Sequence, residues 1–289
     1  GTILKTSSGN IRRADCRRRY EEGKLGPARR PVWRQVASPA SPGAALRLRR
    51  LPGAAATGLF GAYAWGIVGV VAPPVWLLLG AVPAERRWGV FRAGAKTFLF
   101  LCAETPTVSG LEHLPEGACV LVANHASILD GMVLAAALPG PLVFPVVGDL
   151  ASGPVTGPFL RRLGAAFVDR TDRKEAAALA GSLLEREKAS AVLAFFPEGT
   201  MSRVPGLHPF RMGAFMIGAD AQVPVVPVAI KGTGDVLRGD RRFPRHHPIE
   251  VMVSPPISSD QTGWPGAVEL RDAARAALLA STGEADLES

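Results

Sequence analysis

The sequence predicts an α/β domain with a largely parallel central sheet, preceded by an N-terminal hydrophobic helical hairpin. Three observations carry this prediction. From about residue 108 onward, short uninterrupted apolar runs alternate with segments of helical spacing, the pattern of a sheet covered on both faces. Residues 54–83 hold no charged side chain and are interrupted by Pro73-Pro74. The chain of 289 residues, 47% of them apolar, has enough material for one sizeable core.

The first fifty residues stand apart by charge. They carry 13 Lys/Arg against 3 Asp/Glu, which leaves 20 against 22 for everything after them, so the net charge of +8 belongs to the leading segment. That basicity reads either as a solvated arm or as attraction to anionic lipid headgroups. Nucleic acid is not an expected partner, because no aromatic or basic recognition module accompanies the charge. Nor does the stretch contain the hydrophobic region of a secretory signal. Within it, "LKTSSGNIRRADCRRRY" resembles the C-terminal end of adenylate-forming fatty acyl-AMP or acyl-CoA ligases, with Lys5, Thr6, Ser7, Ser8, Gly9, Ile11 and Arg13 in register. Leu4 and Asn10 depart from that pattern; the resemblance puts a lysine at 10, and without it an adenylation step lacks a stabilising ammonium.

Residues 54–72 are about long enough to cross a bilayer as a helix, and the two prolines that follow are expected to break it. Arg47, Arg49 and Arg50 precede the apolar stretch and Arg86 and Arg87 follow it. Positive charge on both flanks favours a re-entrant or interfacial hairpin with both ends on the cytoplasmic side. A buried pair of core helices is the competing reading. Residues 88–103 extend the apolar surface as a further helix.

Six runs then read as buried strands: 118–124, 142–148, 165–169, 191–197, 223–230 and 249–255. Helical spacing fills the gaps at 129–138, 157–164, 173–189 and 211–221, and 265–280 supplies a closing helix. Cys16, Cys102 and Cys119 are too few and too scattered for a disulfide framework or a zinc site, which suits a reducing compartment; no metal is expected.

Four stretches carry candidate chemistry. In "ANHASILDG", His125 and Asp130 follow a strand and open a helix, at the carboxyl edge of the sheet where α/β proteins hold ligands. A carboxylate on one ring nitrogen fixes the tautomer and leaves the other nitrogen to act as a general base. Alternatively, Asp130 caps the helix and His125 is a satisfied turn residue. "FFPEGTMSR" delivers Glu198, a turn at Gly199, and donors at Thr200, Ser202 and Arg203, a cradle suited to phosphate or an ordinary turn. "GAAFVDR" ends a strand at Asp169-Arg170, where the arginine either meets the same crevice or forms a surface ion pair. "VPVVPVAIKGTGD" lacks the third glycine of a dinucleotide fingerprint, so no such cofactor is expected.

Taken together, "NHASILDG", "GAAFVDR", "FPEGTMS" and "VPVVPVAI" follow the order and approximate spacing of the four motif blocks of the glycerolipid acyltransferases. Over about 105–260 the chain therefore resembles that family, the 1-acylglycerol-3-phosphate acyltransferases and their relatives. The resemblance implies a glycerol-3-phosphate acyltransferase-like domain with His125 as general base and Asp130 as its partner. It assigns Arg170, Glu198, Gly199 and Thr200 to the phosphorylated acceptor. Met201 stands where the family carries an arginine, and a thioether cannot pair with phosphate; Arg203 is the nearest replacement. Arg211 falls where relatives carry a lysine.

The expected organisation is a ligase remnant at 1–25, a basic Pro/Ala/Arg linker at 26–50, membrane-associating helices at 51–104 and the acyltransferase domain at 105–289. The expected activity moves a fatty acyl group from acyl-CoA or acyl carrier protein to a hydroxyl of a lysophospholipid such as 1-acylglycerol 3-phosphate. It takes place at the cytoplasmic face of a membrane, by a peripheral or monotopic protein, with no resident cofactor. The sequence contains no G-x-S-x-G elbow and no cysteine in the motif blocks, so a covalent intermediate is not expected. The other class of function is a non-catalytic lipid-binding or membrane-anchoring domain of a ligase fusion, suggested by Met201 and Asn10.

Overall fold

The computed structural model describes residues 43–147, 153–154, 156–168, 192–199, 204–238 and 243–288. The expected ligase remnant at 1–25, most of the linker, and the helix expected at 173–189 lie outside the described residues. The chain divides into two compact units, residues 1–54 and residues 55–289; apart from residues 43–54 of the first helix, the second carries everything that follows.

Helix α1 spans Gly43–Ala81 and α2 spans Ala84–Leu101. Contrary to expectation, α1 runs on through Pro73-Pro74, and the chain turns at Val82-Pro83. Two prolines remove two backbone donors from a helix, so tertiary contacts must offset the loss. One such contact comes at the next residue: a Val75 methyl comes within 2.5 Å of the space a side chain at Gly94 would fill. With Tyr63 Oη donating to the Leu101 carbonyl at 2.8 Å, α1 and α2 pack antiparallel. The hairpin is thus two long helices, with its bend displaced from the prolines to the end of the apolar run.

After the hairpin come β1 (Thr107–Ser109), β2 (Cys119–Ala123) and α3 (Asp130–Ala137). Strands β3 (Leu142–Val143) and β4 (Pro145–Val147), helix α4 (Thr156–Arg162), strand β5 (Ala166–Val168) and strand β6 (Val192–Phe195) follow. The chain closes with α5 (Gly213–Ala221), β7 (Val225–Lys231), α6 (Thr233–Val236), β8 (Glu250–Val253) and α7 (Gly263–Thr282). Six strands form one sheet in the order β1-β8-β7-β2-β6-β3. Every neighbouring pair is parallel except β7 with β8, which agrees with the largely parallel sheet expected.

Strand β2 shows why this sequence makes a two-faced sheet. All five residues are buried. Cys119, Leu121 and Ala123 pack into one core with Leu99 of α2 and Leu134 of α3. Val120 and Val122 pack into the other with Phe215 of α5 and Leu270 and Leu278 of α7. The period of two divides an unbroken apolar run between two helical layers.

Two strand expectations need correction. The run expected as one strand at 142–148 pairs with β6 as β3, then changes partner at Phe144 and pairs with β5 as β4. Consequently β5, the strand leading to Asp169-Arg170, belongs to a separate two-stranded parallel sheet. Strand β1 and helix α6 were not expected, because a three-residue "TVS" and a four-residue "TGDV" are too short to show a period.

Candidate active site

Strand β2 lies between β7 and β6, and the chain leaving it enters the site through an anchored residue. Asn124 extends the ladder by side chain: its Nδ2 donates to the Ile230 carbonyl at 2.9 Å, and its Oδ1 accepts from the Ile230 N–H at 2.7 Å. The loop that follows is held by Ser127, whose hydroxyl donates to the Leu237 carbonyl and accepts from the Leu129 N–H. A fixed strand end and a fixed loop leave His125 little freedom.

His125 Nδ1 lies 2.9 Å from Asp130 Oδ2, and Asp130 is fully buried. The same oxygen accepts from the Ser127 N–H at 2.8 Å. Asp130 is the first residue of α3, where the helix dipole favours its negative charge. The N-cap position is Leu129, and the Asp130 carboxylate takes its hydrogen bonds from His125 and from the Ser127 N–H, which precede the helix: the carboxylate serves His125 and the loop. An ionised Asp130 keeps the proton on Nδ1 and leaves the Nε2 lone pair available.

The imidazole also rests on a ring stack. Its centroid lies 4.1 Å from that of Phe196 with the planes 17° apart, and Phe196 in turn stacks on Phe144 at 6.2 Å. An aromatic face beneath the ring holds its plane and favours the imidazolium formed when Nε2 takes a proton. Phe196→Leu is expected to lower kcat about tenfold while KM changes little, and steady-state kinetics on the purified variant check this.

Glu198 is buried, and both of its carboxylate oxygens are engaged by backbone amides. Oε1 accepts from the His125 N–H at 2.8 Å and Oε2 from the His208 N–H at 3.1 Å. Burial pushes its carboxyl above the usual range, with those two donors pulling it back. The carboxylate thus clamps the His125 loop to the segment around His208. Gly199 has φ 72°, and a Cβ there would meet the Arg211 side chain at 2.3 Å. Gly199→Ala is therefore expected to cost about 1–3 kcal/mol of stability, read as a lower unfolding temperature, because both the conformation and the Arg211 packing oppose a side chain. Arg170, Thr200, Met201 and Arg203 lie outside the described residues.

His208, Arg238 and Glu284 of the same crevice, and Phe196 beneath the His125 ring, escaped sequence reasoning. Asn124, His125 and Glu198 share a small cavity with His208, Arg238 and Glu284. Phe196 was within reach, since it sits in the "FFPEGT" stretch. Arg238 and Glu284 had no local signal, because the fold alone brings them to His125.

On the other side of the loop a large apolar cavity of about 790 Å³ opens between the hairpin, α3 and α4. Trp76, Phe91, Phe98, Phe159, Met132 and Leu129 line it. Leu129 immediately precedes Asp130, so the acid–base loop forms part of the cavity wall. Cys119 offers no competing nucleophile: burial in the core pushes its thiol up to about 11.

A sheet whose central strand delivers a histidine–aspartate pair beside an apolar cavity has the geometry of a candidate acid–base site with room for an apolar ligand. The comparisons with known proteins agree. The profile of the family described as Acyltransferase matches residues 105–231. A chloroplastic 1-acyl-sn-glycerol-3-phosphate acyltransferase of Brassica napus is 34% identical over 161 residues, 52% of this chain and 44% of its own. The 1-acyl-sn-glycerol-3-phosphate acyltransferase of Saccharomyces cerevisiae is 28% identical over 198 residues, 68% of this chain and 65% of its own. A Caenorhabditis elegans protein, acl-2, assigned to the same acyltransferases, is 31% identical over 199 residues, 67% of this chain and 71% of its own. The crystal structure of PlsC, the 1-acyl-sn-glycerophosphate acyltransferase of Thermotoga maritima, shares the fold with a TM-score of 0.64 at 21% identity, covering 81% of this chain and 95% of that one. The chain belongs to the acyltransferase family. Its match spans less than half of the Brassica protein and just under two thirds of the yeast protein.

Proposed function

We propose that the protein is a membrane-surface O-acyltransferase of phospholipid biosynthesis. It moves a fatty acyl group from a thioester, acyl-CoA or acyl carrier protein, to a hydroxyl of a lysophospholipid such as 1-acylglycerol 3-phosphate. The observation that carries this reading is the His125–Asp130 pair at 2.9 Å on a loop that also walls the apolar cavity. The names of the relatives support the acceptor class.

The acceptor hydroxyl gives its proton to His125 Nε2 as its oxygen attacks the thioester carbonyl, and Asp130 holds the resulting imidazolium. The tetrahedral intermediate collapses by expelling the thiolate, which takes up a proton as the free thiol. Because a thiolate leaves readily, one acid–base pair suffices and no acyl-enzyme is needed. The resemblance to the family assigns Arg170 and Thr200 to the phosphorylated acceptor, with Arg203 the nearest replacement for the arginine missing at Met201. Glu198 acts on the reaction through the backbone of His125.

Association with lipid follows from the hairpin. Thr57–Ala81 is long and apolar enough to cross a membrane by length and composition, and only 11% of its most apolar window is buried. Leu59, Val70 and Leu77 of α1 and Phe100 of α2 expose much of their surface. Arginines on both flanks favour the cytoplasmic face. An upstream ligase domain, suggested by residues 1–25, would supply activated acyl groups.

The test is a headgroup panel. Purified protein with labelled acyl-CoA is expected to acylate 1-acylglycerol 3-phosphate faster than a monoacylglycerol. Free fatty acid independent of acceptor would identify a thioester hydrolase instead, and no turnover of any acceptor would identify a lipid-binding domain.

A further inference from the structure

The C-terminal segment, residues 283–288, lies across the crevice. Helix α7 stops at Gly283, whose φ of 68° reverses the chain. The strap then pairs with the segment leading to His208. The Leu207 N–H donates to the Ala285 carbonyl at 2.9 Å, and the Leu287 N–H donates to the Leu207 carbonyl at 3.1 Å. Arg275, buried on α7, fastens both strands of this bridge. Its guanidinium donates to the His208 carbonyl at 2.7 Å and the Leu207 carbonyl at 3.0 Å, and pairs with the carboxylate of Asp286. Gly206 completes the contact, since a Cβ there would meet Leu287 at 2.8 Å.

This anchoring brings Glu284 into the cavity that holds His125. Two cationic or polar partners share that cavity, Arg238 and His208. Arg238 is half-buried, and among the described residues it has no hydrogen-bond or salt-bridge partner. The other carboxylates nearby are already engaged: Glu198 by two backbone amides, and Asp130 by His125 and Ser127. With the strap in place the cavity measures only about 10 Å³, room for about one water and far too small for a lipid headgroup. Burial and the neighbouring Glu198 carboxylate push the Glu284 carboxyl up, whereas the Arg238 charge pulls it down. A carboxylate beside a half-buried, unpaired arginine occupies the position that an incoming anion would take.

We infer that Arg238, assisted by His208, is the seat for the phosphate of the acceptor, and that Glu284 on the C-terminal strap is its built-in competitor. The inference rests on the phosphorylated acceptor of the proposed function. Arg238 supplies a cation in a chain whose FPEGTMS motif carries methionine where the resembled family carries arginine. The strap must yield for the headgroup to enter, so Glu284 sets a threshold that a neutral lipid cannot overcome by exchanging with it.

The experiment measures equilibrium binding without acyl donor, so its outcome is independent of whether acyl transfer occurs. The full chain is titrated with detergent micelles carrying either 1-acylglycerol 3-phosphate or the corresponding monoacylglycerol. Glu284→Gln is expected to tighten binding of the phosphorylated lipid several-fold and to leave the neutral one unchanged. Arg238→Gln is expected to weaken the phosphorylated lipid roughly ten- to a hundredfold, with partial recovery in Arg238→Lys. Unfolding temperatures of all variants establish that each is folded. Unchanged or weaker phosphate binding by folded Glu284→Gln would overturn the competitor. Loss of phosphate selectivity in Arg203→Gln but not in Arg238→Gln would place the seat on the other loop and overturn the assignment.

Discussion

His125→Ala is expected to lower the rate of phosphatidate formation by about 10²–10⁴-fold, with binding of the acceptor little changed. The magnitude follows from the proposed role, in which Nε2 takes the hydroxyl proton in the transition state while the headgroup and acyl chains are held by other residues. Asp130→Asn tests the same pair from the other side. The amide is nearly the same size but carries no charge to stabilise the imidazolium. Its one oxygen can still accept from both His125 Nδ1–H and the Ser127 N–H, as Asp130 Oδ2 does, so the substitution removes chiefly the charge. Its rate is expected to fall with kcat and kcat/KM reduced together. A variant that lost affinity for acceptor instead would assign Asp130 to binding.

Glu198→Gln is expected to have the second largest effect, on stability as well as rate. Glutamine offers one accepting oxygen where the structure requires two, so its amide group must face either the His125 or the His208 N–H. A buried donor left without an acceptor costs about 1–3 kcal/mol, and the displaced backbone moves His125. The sign of the pH dependence is fixed by the raised carboxyl. Between the ordinary glutamate range and the raised folded value, the native state binds the proton more readily than the unfolded chain. Stability contributed by this group therefore falls as pH rises through that window. The difference in unfolding free energy between wild type and Glu198→Gln, measured by denaturant titration across mildly acidic pH, should shrink in the same direction.

How much of this was legible in the sequence depended on whether a feature is local. The unbroken run "CVLVA" could only be a strand covered on both faces, and β2 lies at the heart of the sheet between β7 and β6. His125 and Asp130 are five residues apart at a strand-to-helix junction, so their contact follows from local geometry. The hairpin was legible as an uncharged stretch, but its bend was not: the two prolines pointed to residue 73, whereas α1 continues to Ala81, with Val75 packed close to Gly94. The run at 142–148 concealed a change of partner at Phe144 that no periodicity records. Glu198 was read as a ligand for acceptor because of its motif, yet its oxygens meet backbone amides of residues far apart in the chain. Arg238 and Glu284 could not be found at all: Arg238 follows the four-residue α6, which shows no period, and Glu284 is placed by the backbone bridge between Leu207 and Asp286.

The central claim is direct transfer from thioester to hydroxyl by the His125–Asp130 pair. Counting released thiol and newly formed phosphatidate together, in one reaction of purified protein with acyl-CoA and 1-acylglycerol 3-phosphate, tests it most directly. Direct transfer predicts equal amounts of the two at every time point, with both slowed together by about 10²–10⁴-fold in His125→Ala. Thiol released without matching phosphatidate, or undiminished yields from His125→Ala, would contradict it.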